Sequence, residues 1–200
     1  KITTHSLQEM KDSGEKISML TAYDYSFAKL LDTANIDILL VGDSASNVMA
    51  GHETTLPITL DQMIYHASSV IRAINRSLVV VDLPFGSYQS DPKEALRSAI
   101  RIMKESGGHA VKLEGGEHMA ETTRQIVRCG IPVMGHIGLT PQSVHQLGGY
   151  RVQGKTAKTA SQLVRDAEAL EDAGVFSIVL ESVPAPLSRL ITERLSIPTI

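Results

Sequence analysis

The chain has 200 residues, 42% hydrophobic and 20% charged, the proportions of an ordinary globular domain rather than a disordered or fibrous one. Its formal net charge of −3 supplies no field to attract nucleic acid or an anionic membrane, and neither is expected as a partner. No apolar run approaches transmembrane length, no signal-peptide core is seen, and Cys129 is the only cysteine, so no intrachain disulfide forms and a reducing, cytoplasmic setting is expected.

In chain order, His5 to Ser13 reads as a short helix ended near Gly14, Ile17 to Ala22 as a strand, and Ser26 to Ala34 as a helix. The second strand ends at Asp43 in the run Asp37-Ile38-Leu39-Leu40-Val41-Gly42-Asp43. A long glycine-containing loop is expected from Ser44 to Pro57, and loops of that length are often functional. Thr59 is placed as the N-cap of a helix reaching Ile74. The third strand ends at Asp82-Leu83-Pro84; Ser90-Asp91-Pro92 opens the next helix and Gly107-Gly108 closes it.

Strand four is Ala110 to Glu114, followed by a helix over Glu117 to Cys129, whose apolar neighbours (Ile126, Val127, Ile131) favour a packed cysteine over a nucleophile. Strand five is Pro132 to Ile137, and Thr140-Pro141 begins a short helix. A glycine-rich turn, Gly148 to Gly154, leads into a helix over Ala157 to Ala173. Strand six is Ser177 to Glu181, then a helix spans Leu187 to Leu195, and Ile197 to Ile200 reads as the start of a seventh strand.

Strands alternating with helices over residues 1–200 imply a single parallel α/β domain. The pattern leaves two architectures open, an open doubly wound sheet and a closed eightfold barrel. A barrel takes about 250 residues, so on that reading further strand-helix units are expected beyond Ile200.

Four apolar runs end in a carboxylate: Asp43, Asp82, Glu114 and Glu181. Runs rich in Val, Ile and Leu suit strands buried on both faces, and acids at their C-terminal ends open onto the face where α/β proteins bind ligands. Asp43, Asp82 and Glu114 offer only oxygen, the donor set of a hard cation such as Mg2+. Such acids repel one another unless a cation lies among them or one keeps its proton. Any one of them alone is more simply a solvated strand-end residue or a helix cap; the set favours a shared site.

Lys112 shares a strand face with Glu114 and is costly to bury unpaired. It either binds an anionic substrate group or pairs with an acid, and its position leaves both open. His136 is also near a strand end, where a lone histidine is more often a hydrogen-bonded core residue. Glu181 is a candidate base rather than a further metal ligand. The string Gly149 to Thr156 fits a phosphate-binding loop, but the buried strand that must precede such a loop is missing.

Several stretches together resemble the ketopantoate hydroxymethyltransferase family. They are Thr21-Ala22-Tyr23-Asp24, Val41-Gly42-Asp43-Ser44, Gly51-His52 through Leu56-Pro57, Asp82-Leu83-Pro84-Phe85 and Val111-Lys112-Leu113-Glu114-Gly115-Gly116. The likeness continues through Gly135-His136-Ile137-Gly138-Leu139-Thr140-Pro141-Gln142, Gly148-Gly149-Tyr150 to Gly154, and Leu180-Glu181. Ala45-Ser46 departs from the Leu-Gly found in many members.

The resemblance implies a (β/α)8 TIM barrel in a homo-oligomer, a decamer in well-studied members. It implies that Asp43, Asp82 and Glu114 hold Mg2+ directly or through water, and that Asp43, Ser44, Asp82, Lys112 and His136 surround the keto acid. Glu181 matches the proton acceptor, in a partly desolvated site that would make it a better base. The implied reaction passes a hydroxymethyl group from 5,10-methylenetetrahydrofolate to 3-methyl-2-oxobutanoate through a Mg-stabilised enolate, giving 2-dehydropantoate. No folate-binding residue is assigned. Two alternatives stand beside this reading. One is a Mg-dependent lyase or mutase of the phosphoenolpyruvate mutase/isocitrate lyase type, expected to carry a catalytic cysteine or a phosphate-binding group. The other is a non-catalytic fragment.

Overall fold

The computed structural model describes all 200 residues, Lys1–Ile200. Six strands form one sheet: β1 (Met19–Thr21), β2 (Ile38–Val41), β3 (Leu78–Asp82), β4 (Ala110–Glu114), β5 (Val133–Gly138) and β6 (Ser177–Glu181). All neighbours pair in parallel, in sequential order. A doubly wound sheet reverses its strand order at a switch point. This sheet never reverses, so successive crossovers fall on the same side and the strands curl into a parallel half-barrel. Pro198–Ile200 extends the curl where a seventh strand is expected: Ile178 N–H donates to Pro198 O at 3.1 Å, and Leu180 N–H to Ile200 O at 2.9 Å.

Most helix starts follow from local chemistry. In α1 (Thr4–Ser13) Thr3 and Ser6 cap each other reciprocally; α2 (Tyr25–Thr33) starts on Asp24, whose carboxylate accepts from Phe27 N–H. Thr59 and Gln62 form the expected capping box of α4 (Leu60–Ile71), which ends before Ile74. Asp91 and Pro92 open α5 (Pro92–Arg101), whose final turn widens into a π-helix over Ile102–Ser106. The helix α8 (Ala157–Ala173) runs between a Thr156–Thr159 capping box and Gly174. The remaining helices are α3 (Ala45–Val48), α6 (Ala120–Arg128), α7 (Val144–Leu147) and α9 (Ala185–Arg194).

Two expectations are corrected. The segment from Ser44 to Pro57 is not all loop, because α3 begins directly after Ser44. Cys129 is not packed: it is exposed at the C-terminal end of α6, while Ile126 and Ile131 are the residues that turn inward.

The sheet has a core on each face. A layer of 32 buried residues fills the space between the strands and the outer helices. A smaller cluster of eight, including Ile38, Leu40, Leu78, Val80, Ala110 and Met134, lines the concave face, and Leu7 and Met10 of α1 close its lower end. Side chains alternate between faces. The inward row of β3 therefore runs Leu78, Val80, Asp82, and that of β4 runs Ala110, Lys112, Glu114. Register pairs Asp82 with Lys112, Glu114 with His136 and Gly138 with Glu181. The apolar interior thus gives way to charge at the C-terminal end of the strands.

Candidate active site

The structure brings all of the anticipated residues to this one end. Asp43, Asp82, Lys112, Glu114 and His136 are each at most 7% exposed, so every charge among them needs a partner. Asp43 N–H donates to Asp82 Oδ2 at 3.0 Å. Gly42 leaves room for the Ser44 hydroxyl: a Cβ there would stand 2.7 Å from Ser44 Oγ. Ser44 Oγ shares a 2.8 Å hydrogen bond with Tyr23 OH. At the other edge, Gly138 has φ +93°, and a Cβ on it would strike the Glu181 backbone oxygen, so a glycine lets the ends of β5 and β6 close together.

Lys112 Nζ is 2.9 Å from Asp82 Oδ1 and 3.0 Å from His136 Nδ1. Of the two readings left open for this lysine, pairing with an acid is what the structure shows, and one of its three N–H bonds remains for an anion. Burial by itself would lower the Lys112 ammonium, but Asp82, Glu114 and Asp43 together hold it above its usual value. Because an ammonium only donates, His136 Nδ1 must accept, which puts the imidazole proton on Nε2. Burial and the Lys112 charge lower the His136 pKa, in keeping with a neutral ring. Nε2 lies 3.0 Å from Glu181 Oε2, close enough for an ion pair but without a well-aligned hydrogen bond. The Glu181 side chain is 38% exposed.

Burial and the neighbouring Asp82 push the Asp43 carboxyl up to about 6. Burial pushes Glu114 to about 8, against the opposing pull of Lys112 and with further help from Asp43 and Asp82. Three acids against a single lysine thus hold on to protons that free carboxyls would have released.

Two residues central to this site, Gln142 and Tyr88, had no local signal. Gln142 is buried, and its Nε2 donates to Asp43 Oδ2 at 2.8 Å and Leu83 O at 3.0 Å. Its Oε1 accepts from Tyr88 OH at 2.6 Å and Gln89 Nε2 at 2.8 Å, and its backbone N–H donates to Glu114 Oε2 at 3.0 Å. With both ends of the amide engaged, its orientation is set, and it ties Asp43 to Glu114. Tyr88 OH also accepts from Glu114 N–H at 3.1 Å.

The donor set fits a hard divalent cation. Ionised together, as a bound cation would hold them, three carboxylates would exceed the one ammonium by two negative charges, and Asp82 Oδ1 has its Lys112 ion pair but no well-aligned hydrogen bond. Asp43 and Asp82 adjoin directly, whereas Glu114 lies beyond Gln142, and no trio of side-chain ligands closes around one point. Two carboxylates completed by water and substrate oxygen are the usual protein share of a Mg2+ shell. The phosphate-loop lookalike fails in structure as in sequence, since α7 rather than a strand precedes it and Lys155 is exposed.

The ketopantoate hydroxymethyltransferase family model matches residues 1–200. The chain belongs to this family. It is 68% identical over 200 residues to the 3-methyl-2-oxobutanoate hydroxymethyltransferases of Flavobacterium johnsoniae and Cytophaga hutchinsonii, covering 100% of this chain and 74% of each relative. The Salinibacter ruber relative of the same name is 62% identical, with 76% of its length covered. Among solved structures, a phosphonopyruvate hydrolase complex with oxalate and Mg2+ superposes with a TM-score of 0.74 at 12% identity, over 100% of this chain and 71% of that one. A 2,3-dimethylmalate lyase of the PEP mutase/isocitrate lyase superfamily gives 0.71 at 18% identity, over 98% and 70%. At such identities these two establish a shared fold. No helix is long and apolar enough to cross a membrane.

Proposed function

We propose that the protein transfers a hydroxymethyl group from 5,10-methylenetetrahydrofolate to 3-methyl-2-oxobutanoate, giving 2-dehydropantoate for pantothenate synthesis. The observation that carries this reading is the continuous run of polar contacts from Asp43 and Asp82 through Lys112 and His136 to Glu181. It occurs in a chain 68% identical to relatives named for that reaction.

In this reading the curled sheet is part of a (β/α)8 TIM barrel. Asp43, Asp82 and Glu114 would hold Mg2+, directly or through water. When bound, the ion supplies a Lewis acid to the keto oxygen. Lys112, with its remaining N–H, and the Ser44 hydroxyl bind and orient the substrate carboxylate. Glu181 takes the C3 proton, with His136 Nε2 3.0 Å from one of its carboxylate oxygens and the other free for that proton. The enolate carbon bonds to the one-carbon unit of the folate, and water supplies the hydroxyl oxygen. The C3 proton and one water proton end on the two folate nitrogens as tetrahydrofolate leaves. A homo-oligomer, a decamer by likeness to the family, is supported by exposed apolar side chains on α2, Phe27 at 64% and Leu30 at 66%.

A lyase or mutase with a catalytic cysteine is disfavoured, since Cys129 ends α6 at the opposite end of the strands from the acids. Folate-dependent loss of the keto acid separates the transferase from that class and from a non-catalytic protein. Glu181→Gln should keep its fold but slow deuterium exchange at substrate C3, followed by proton NMR, by about 100-fold or more. Undiminished exchange would remove Glu181 as the base.

A further inference from the structure

Ser44 stands at the N-terminal end of α3, the position from which a serine side chain usually accepts a backbone N–H of the helix. It makes no such bond. Its hydroxyl turns instead to Tyr23 OH at 2.8 Å, the one hydrogen bond of that side chain. A Cβ on Gly42 would lie 2.7 Å from Ser44 Oγ and 3.7 Å from Asp82 Oδ2. The hydroxyl therefore borders the acid cluster across the space that this glycine leaves open.

Tyr23 is fixed from several directions. Ala22 N–H donates to Leu40 O at 2.9 Å, which prolongs the pairing of β1 with β2 and sets Tyr23 beside the end of β2. The Tyr23 carbonyl accepts from His66 Nδ1 of α4 at 2.8 Å, and its side chain packs against the larger core. Asp24, next in sequence, caps α2. None of these contacts uses the phenol oxygen, so a phenylalanine would satisfy them all. The oxygen serves Ser44.

We propose that Tyr23 is a positioning residue for the keto acid: its O–H donates to Ser44 Oγ and leaves the Ser44 proton for the substrate carboxylate. The inference rests on the hydroxymethyltransferase reading and deepens it. A hydrogen bond between two hydroxyls uses one proton and leaves the other over. Were Ser44 the donor, its oxygen would meet the carboxylate with lone pairs alone, and two acceptors repel. With Tyr23 as donor, the two O–H groups point in series toward the anion and each polarises the next. Lys112 Nζ lies on Asp82 Oδ1, whereas Ser44 lies toward Oδ2. The two donors thus flank Asp82, one for each oxygen of an incoming carboxylate.

Tyr23→Phe keeps the ring and every contact named above except the bond to Ser44, so it isolates the hydroxyl. In the Mg2+-loaded protein it should weaken 3-methyl-2-oxobutanoate binding, measured by calorimetry, about tenfold and raise its KM to a similar degree, with kcat close to that of the parent. Ser44→Ala should lose at least as much, and adding Tyr23→Phe to it should cost nothing further, a coupling that a packing role for Tyr23 would not produce. Parent-like keto-acid affinity in Tyr23→Phe, or an equal tenfold loss in the Ser44→Ala background, would overturn the relay; folate-dependent turnover in the parent would leave the transferase reading standing. A parent protein that does not consume the keto acid with folate would overturn the transferase reading, and the relay with it.

Discussion

Replacing Gln142 with leucine keeps most of the side-chain volume and deletes four hydrogen bonds at once. Gln89 is exposed and water can satisfy it. Asp43, at 4% exposure, and Tyr88, at 1%, have no such recourse. Each buried polar group left without its partner costs about 1–3 kcal/mol; the Leu83 carbonyl is stranded too, while the Tyr88 O–H can still turn to Glu114 O at 3.5 Å, so a total of about 3 kcal/mol is expected. For a chain of this size that lowers the melting temperature by about 6–12 °C. A second consequence follows at the acids. Asp43 already sits at about 6 through burial and Asp82, and loss of the Gln142 donor removes one of the interactions that restrain it, moving it further up. The carboxylate available to a cation at neutral pH then diminishes, so Mg2+ affinity by calorimetry should fall along with stability. A Gln142→Leu protein that melts and binds Mg2+ like the parent would refute the claim that this amide organises the site.

Asp43 and Glu114 have folded-state values of about 6 and about 8, above those of a free carboxyl, so the folded protein without metal holds protons that the unfolded chain has released. Stability of the metal-free protein should therefore fall as pH rises through 6 and again through 8, and saturating Mg2+ should flatten that slope; thermal melts with chelator or metal decide it. Asp82→Asn removes the ion pair of Lys112 and a proposed ligand, and unchanged Mg2+ affinity in calorimetry would exclude Asp82 from the metal site. Asp32, at the far end of the sheet, accepts from the N–H groups of Asn75, Arg76 and Ser77, and Asp32→Ala should destabilise by about 3 kcal/mol in chemical denaturation without altering C3 exchange. Burial raises the Asp32 carboxyl, but those bonds outweigh it and hold the group below its ordinary value, so its contribution is present at neutral pH and lost on acidification.

Much of this molecule is written locally. The bounds of β4, β6 and α8 follow from short apolar runs and from capping residues within a few positions of each end, as Thr156 and Gly174 illustrate. The acids were visible for the same reason: a carboxylate that ends a Val/Leu/Ile run is a local contrast, and alternation along a strand assigns its face. Contacts made across the fold carry no such mark. Gln142 lies 99 residues from Asp43 and 54 from Tyr88, in a single helical turn too short to show a periodicity. Lys112 could have faced a substrate or an acid, and only the register of β3 against β4 decided that Asp82 stands beside it. Cys129 shows the opposite limit, since apolar neighbours in sequence do not determine which way a helix end faces. Short-range hydrogen bonding and burial patterns shape the elements one by one, whereas pairing, tautomer and charge depend on which element the chain brings alongside, and that is a property of the packed whole.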